Sequence, residues 1–164
     1  RIGCAAMIKL IEQEIEYDCY FAFTAQEEVG TRGAMTAAYR IAPDMALILE
    51  GTTAADLPTV DEDKQICRVK GGVVIPFMDR GAIYDRRMYD KLTALADERK
   101  IKWQTKEFVA GGTDASAIQR SRAGVACAGL AVPVRYIHSP SSVAATEDME
   151  AMYLLAKEFI NTER

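Results

Sequence analysis

The chain has 164 residues, a formal net charge of −4, 49% hydrophobic and 27% charged residues. That length suits one domain with its own core and is too short for two large ones, and the acidic balance gives no electrostatic footing for nucleic acid. Apolar runs are strand-sized rather than membrane-sized, and no basic, then hydrophobic, leader opens the sequence, so it reads as a cytoplasmic protein without a membrane partner.

The amphipathic pattern Cys4, Met7, Ile8, Ile11, Ile15 predicts a helix over residues 2–16. It starts at once, with no initiator Met and no capping side chain ahead of it, which reads as a chain cut inside a larger protein. Residues 19–25 read as a strand, 33–42 as a helix and 45–49 as a second strand, which is βαβ grammar. After a polar stretch come a strand pair at 66–70 and 73–78 and a helix at 86–100 that turns Met88, Leu92 and Leu95 inward. A strand at 104–109 leads into Gly111-Gly112-Thr113-Asp114 and a short helix. Strands at 124–130 and 133–137 follow, and a strongly amphipathic helix closes the chain with Met149, Met152, Tyr153, Ala156, Phe159 and Ile160. The pair Gly71-Gly72 reads as a turn. Four cysteines, Cys4, Cys19, Cys67 and Cys127, lack C-x-x-C spacing and read as small buried hydrophobes.

Continuous apolar strands separated by helices require a mostly parallel mixed sheet covered on both faces, a three-layer α/β/α architecture. In such sheets ligands gather outside the carboxyl ends of the strands. Four residues are expected at such ends: the adjacent pair Glu27 and Glu28, Glu50 at the end of MALILE, and His138, the chain's only histidine, after PVRYI. Each has a plainer reading: the acidic pair complements a helix dipole, Glu50 joins a turn capped by Thr52 and Thr53, and His138 is a structural residue. Together, however, carboxylate and imidazole donors suit zinc, cobalt or manganese in an open hydrolytic site, where a metal lowers the pKa of water and a spare carboxylate takes its proton. A cation would also relieve the repulsion between Glu27 and Glu28. In the glycine-rich stretch, Thr113 or Asp114 either caps the next helix or lines a substrate pocket with Gly112.

Three ordered motifs, T-A-Q-E-E-V-G-x-R-G-A from Thr24, G-G-T-D-A from Gly111 and P-x-R-Y-x-H-S from Pro133, span most of the chain. They resemble the metallo-aminopeptidases of the tetrahedral and glutamyl aminopeptidase family, some members of which carry an endoglucanase or cellulase label. The resemblance implies a zinc-exopeptidase-like α/β fold and removal of N-terminal residues from peptides. It makes Glu27 the general base, Glu28 and His138 ligands of one metal, and Glu50 a ligand of a second, at a position where many relatives carry Asp. The expected cofactors are two divalent ions per complete active site, zinc first, with cobalt or manganese as substitutes. In the family, Arg-x-Gly, here Arg1-Ile2-Gly3, follows an acidic motif whose Asp bridges both metals, and a further His ligand lies upstream. Residues 1–164 are therefore expected to be the C-terminal portion of a catalytic domain truncated at its N-terminus, lacking the inserted dimerisation domain. By that reading the fragment alone is inactive and the full-length protein is a homo-oligomer. Two alternatives stand beside it: a metal-independent glycoside hydrolase working with Glu27 and Glu50, and a non-catalytic associating fragment.

Overall fold

The computed structural model describes residues 1–162. In chain order the elements are α1 (Ile2–Ile11), α2 (Arg32–Ile41), β1 (Met45–Thr53), β2 (Val73–Val74), α3 (Arg86–Glu98), β3 (Trp103–Gln104), α4 (Ala115–Ile118), β4 (Ala126–Val134) and α5 (Thr146–Thr162), with single 3-10 turns at Glu27–Val29 and Glu62–Lys64.

The strands form one sheet in the order β1-β4-β2-β3. β1 and β4 run parallel from Met45 opposite Ala126 to Thr53 opposite Val134, β3 runs parallel to β2, and β2 meets β4 antiparallel at Val74 and Ala131. The sheet is thus mixed and mostly parallel, as the alternating elements require. β4 is its centre, and every residue from Cys127 to Val134 is buried. Successive side chains of a strand point to opposite faces, so Ala128, Leu130 and Val132 enter one apolar cluster with α1, α3 and α5, while Cys127 enters another with Ala115 of α4. α2 packs against α4 on that second side.

Helix patterning matches burial where a full apolar stripe exists. Met88, Leu92, Leu95 and Ala96 of α3 are buried, and Asp85 caps the helix by accepting from the amides of Arg87 and Met88 at 2.9 and 3.2 Å. α1 lies directly on β1, because a Cβ at Gly3 would fall 1.9 Å from the carbonyl oxygen of Leu49. The first turn of α5 sends Asp148, fully buried, across to the turn at 70–72, where its two oxygens accept from the amides of Lys70 (2.6 Å) and Gly72 (2.8 Å).

Several boundaries differ from expectation. α1 stops at Ile11, and residues 19–25 form no strand: Tyr20 and Phe23 are 72% and 49% exposed, and no described strand lies alongside to pair with them. Residues 66–70 are also irregular; of the strand expected at 73–78 only Val73–Val74 forms, and of the one expected at 104–109 only Gln104, which makes up β3 with Trp103 before it. The strands expected at 124–130 and 133–137 are one continuous β4 running through Pro133, tolerated because β2 pairs with β4 no further than Ala131. Finally, β1 continues to Thr53, so Glu50 lies within the strand, opposite Ala131, rather than beyond its end. Of the cysteines, Cys67 and Cys127 are buried, with burial pushing each thiol up to about 12, but Cys4 and Cys19 are exposed.

Candidate metal centre

The acidic pair is presented by a tightly bent segment. Gln26, Gly30 and Thr31 all take left-handed backbone (φ 61, 109 and 53°) around the Glu27–Val29 turn, and the amides of Gly30 and Thr31 both donate to the carbonyl of Glu27 at 3.1 and 3.0 Å. Left-handed Gln and Thr each cost roughly 1–3 kcal/mol and persist only where surroundings enforce them. Here the enforcement comes from α2. The Gly33 amide donates to the Ala25 carbonyl at 3.0 Å, and a Cβ on Gly33 would meet that oxygen at 2.4 Å, so only glycine lets the helix start this close. From the other side Thr24 donates its hydroxyl to Asp114 Oδ2 at 2.5 Å, tying the segment to the start of α4.

His138 arrives from the end of β4 on a loop in which it too is left-handed (φ 61°). Its Nδ1 lies 3.4 Å from Oε1 of Glu28, with both side chains well exposed. Two donors bound to one tetrahedral ion at about 2.0–2.1 Å stand about 3.3 Å apart, so this pair has the separation that one divalent cation needs. Glu27, immediately before, is half-buried. Its carboxyl is held above the usual range by burial, then by the charges of Glu28 and Asp114, with His138 pulling the other way.

Glu50 stands apart from the Glu28–His138 contact. Burial pushes it up to about 8; Lys106 pulls it down, and Glu27, Asp79 and Asp114 push it further up. Beneath lies a polar string: Asp79 accepts from the Gly81 and Ala82 amides (2.7 and 2.8 Å) and from the Tyr84 hydroxyl (2.8 Å), and Tyr84 bonds Thr113 at 3.1 Å. Thr113 rather than Asp114 closes onto the next helix, accepting from the Ala115 amide at 3.1 Å. Asp114 is 9% exposed, and its Oδ1 has no hydrogen-bond partner among the described residues. Nothing lies within 4 Å of a Cβ built at Gly111 or Gly112, so the backbone before Asp114 faces open space.

Of the residues singled out from sequence, the fold therefore brings Glu27, Glu28 and His138 together, sets Glu50 nearby inside β1, and places Gly112, Thr113 and Asp114 on the adjoining loop. The expected placement past strand ends holds for His138 alone. Lys106 and the Asp79–Tyr84 pair were not expected; no motif announces them, because their role comes from proximity across the sheet. The donor set fits a divalent ion in kind: carboxylates crowd together with one imidazole and one lysine, and their mutual repulsion is what a cation removes. It fits only in part in number, since no group of three or more His, Cys, Asp or Glu side chains closes on a common point among the described residues.

Comparison with known proteins places the chain in a family. The model of the M42 glutamyl aminopeptidase family matches residues 1–155. An aminopeptidase structure from the archaeon Desulfurococcus kamchatkensis is 36% identical with a TM-score of 0.95, covering 99% of this chain and 47% of that one. The Pyrococcus horikoshii TET1 peptidase, which can assemble into a tetrahedron or a large octahedral shell, is 30% identical with a TM-score of 0.79, covering 99% and 48%. An endoglucanase from Thermotoga maritima is 28% identical with a TM-score of 0.75, covering 98% and 46%. The chain spans about half the length of the curated relatives it matches. With the family model matched over nearly all of its residues, the chain belongs to the M42 glutamyl aminopeptidase family.

Proposed function

We propose that the protein containing this chain is a metal-dependent aminopeptidase, and that residues 1–164 are the C-terminal portion of its catalytic domain. The observation that carries this reading is the 3.4 Å approach of His138 to Glu28 directly beside a half-buried Glu27. Glu28 and His138 would hold one divalent ion and Glu50 would face a second, with zinc the best match to mixed oxygen and nitrogen donors and cobalt or manganese acceptable. When bound, such ions supply Lewis-acid polarisation of the scissile carbonyl and a more acidic water.

The chain's own residues supply the rest. Glu27 takes the proton of the attacking water on its carboxylate and passes it to the leaving amine nitrogen; a pKa raised by burial makes it a stronger base. The left-handed turn around it, held by Gly33 and Thr24, fixes that carboxylate relative to Glu28. The open backbone at Gly111 and Gly112 leaves room for an extended peptide beside it, with the Gly111 carbonyl held by the Arg80 amide at 2.9 Å, and Thr113 and Asp114 hold that loop in place. The remaining parts of the reading are peptide substrates, a cytoplasmic location and a homo-oligomeric full-length protein, the last supported by the shells named for the TET1 relative.

A glycoside hydrolase of the two-carboxylate kind needs its acids on opposite sides of a sugar bond. Glu27 and Glu28 share one turn, and Glu50 is half-buried within β1, so the geometry favours the peptidase. For the chain by itself, a non-catalytic associating module has one observation in its favour: Ile8 and Ile11 on α1, with Tyr20 and Phe23 beyond it, are 49–72% exposed.

The test is Glu27→Gln in the full-length protein. Turnover of an aminoacyl substrate is expected to disappear while metal content stays unchanged. Retained activity removes Glu27 from the mechanism.

A further inference from the structure

The loop that carries His138 is more elaborately held than an exposed connection needs to be. Residues 136–142 leave the sheet at Arg135 and return at Val143, whose backbones bond each other in both directions at 2.9 and 3.0 Å. Within the loop Tyr136 and His138 are both left-handed (φ 59 and 61°), a conformation their side chains disfavour. Two serine hydroxyls enforce it by converging on one acceptor: Ser139 and Ser142 both donate to the Tyr136 carbonyl, at 2.6 and 3.1 Å.

The base of the loop is anchored in turn. Arg135 makes a two-pronged contact with Asp56, Nε to Oδ1 and Nη2 to Oδ2, each at 2.8 Å. The Asp56 side chain is 7% exposed, and its Oδ2 also accepts from the Val69 amide at 2.9 Å. Asp56 lies just past β1 and Arg135 just past β4, so the fork clamps together the segments that leave two neighbouring parallel strands. An ion pair with its carboxylate buried and its guanidinium partly exposed adds little net stability over an apolar pair of the same shape, and its best-attested use is to fix one geometry. The geometry fixed here is the path of the chain three residues before the imidazole.

We infer that Asp56 is a positioning residue for His138: through its fork to Arg135 it sets the loop that brings the imidazole to Glu28. The inference rests on the metallo-aminopeptidase reading. Outer partners that orient a metal ligand are typically worth ten- to a hundred-fold in metal affinity.

The experiment measures zinc binding by calorimetry in the full-length protein and in its Asp56→Asn, Arg135→Gln and doubly substituted forms, with a thermal melt of each. Asp56→Asn is expected to stay folded and to bind zinc ten- to a hundred-fold more weakly. Its kcat should recover when zinc is raised to saturation, with KM for the peptide unchanged. Because both residues act through one fork, the double substitution should lose no more than the worse single one. Arg135→Gln, at a side chain 35% exposed, gives the same readout if Asp56→Asn does not fold. Wild-type zinc affinity in the folded variants, or losses that add in the double variant, would overturn the role of Asp56. Absence of zinc binding by the unsubstituted protein would overturn the metallo-aminopeptidase reading and this inference together.

Discussion

Asp148 offers a sharp test of how the fold is held. Its side chain is fully buried in the first turn of α5, and its two oxygens take the amides of Lys70 and Gly72 at 2.6 and 2.8 Å. Both donors belong to a left-handed turn (φ 67 and 93°), so neither can swing to another acceptor without unwinding the chain beside β2. Gly72 has no room to move either, since a Cβ there would lie 2.1 Å from the Lys102 carbonyl oxygen. Replacement by Asn keeps one acceptor and turns an NH2 group toward the other amide. Leaving one buried donor unsatisfied costs about 1–3 kcal/mol, and the lost charge at a helix N-terminus adds about 0.3–1 kcal/mol. Asp148→Asn should therefore destabilise by about 1–4 kcal/mol, and Asp148→Ala, which orphans both amides, by more. Against a total stability of about 5–15 kcal/mol this is a large fraction, readable as a lower midpoint in urea denaturation. A midpoint corresponding to less than about 0.5 kcal/mol for Asp148→Asn would refute the claim that these two bonds secure the turn.

Two further predictions concern the site. Burial lifts Glu50 in the metal-free protein to about 8, well above an unfolded carboxylate, so the folded state favours the protonated form. Its contribution to stability is fully present below the unfolded pKa and is lost as pH rises through about 8; the melting temperature of the metal-free protein should fall over that window, and Glu50→Gln should flatten the slope. Gly33→Ala gains about 1 kcal/mol of helix propensity but drives a methyl to within 2.4 Å of the Ala25 oxygen and 2.6 Å of its nitrogen. The segment bearing Glu27 and Glu28 must then shift, so kcat should fall even though the melting temperature changes little; an unaltered kcat would show that the segment's path does not matter.

What the sequence revealed, and what it hid, follows from range. α3 and α5 were readable because their apolar stripes record a burial set within one helix. The 19–25 run misled because Tyr20 and Phe23 have strand-forming character, yet a strand exists only with a partner alongside, and partners are not written in local pattern. Pro133 looked like a break between strands because its missing N–H matters only where a neighbour seeks it, and β2 does not reach that far. Likewise the run MALILE reads as a strand from which Glu50 emerges, whereas the parallel ladder to β4 carries β1 three residues further. At the site, Glu27, Glu28 and His138 could be picked out by residue type and motif. The 3.4 Å contact between residues 110 positions apart could not, nor could the Asp56–Arg135 fork, since both depend on where β1 and β4 end side by side.

The most direct measurement is peptide hydrolysis by the full-length protein before and after exhaustive chelation, with a polysaccharide as the competing substrate. Aminoacyl-substrate cleavage is expected to vanish with the metal and return on adding zinc, with the polysaccharide untouched throughout. Undiminished peptide cleavage by the chelated protein, or metal-independent cleavage of the polysaccharide, would contradict the metallo-aminopeptidase reading.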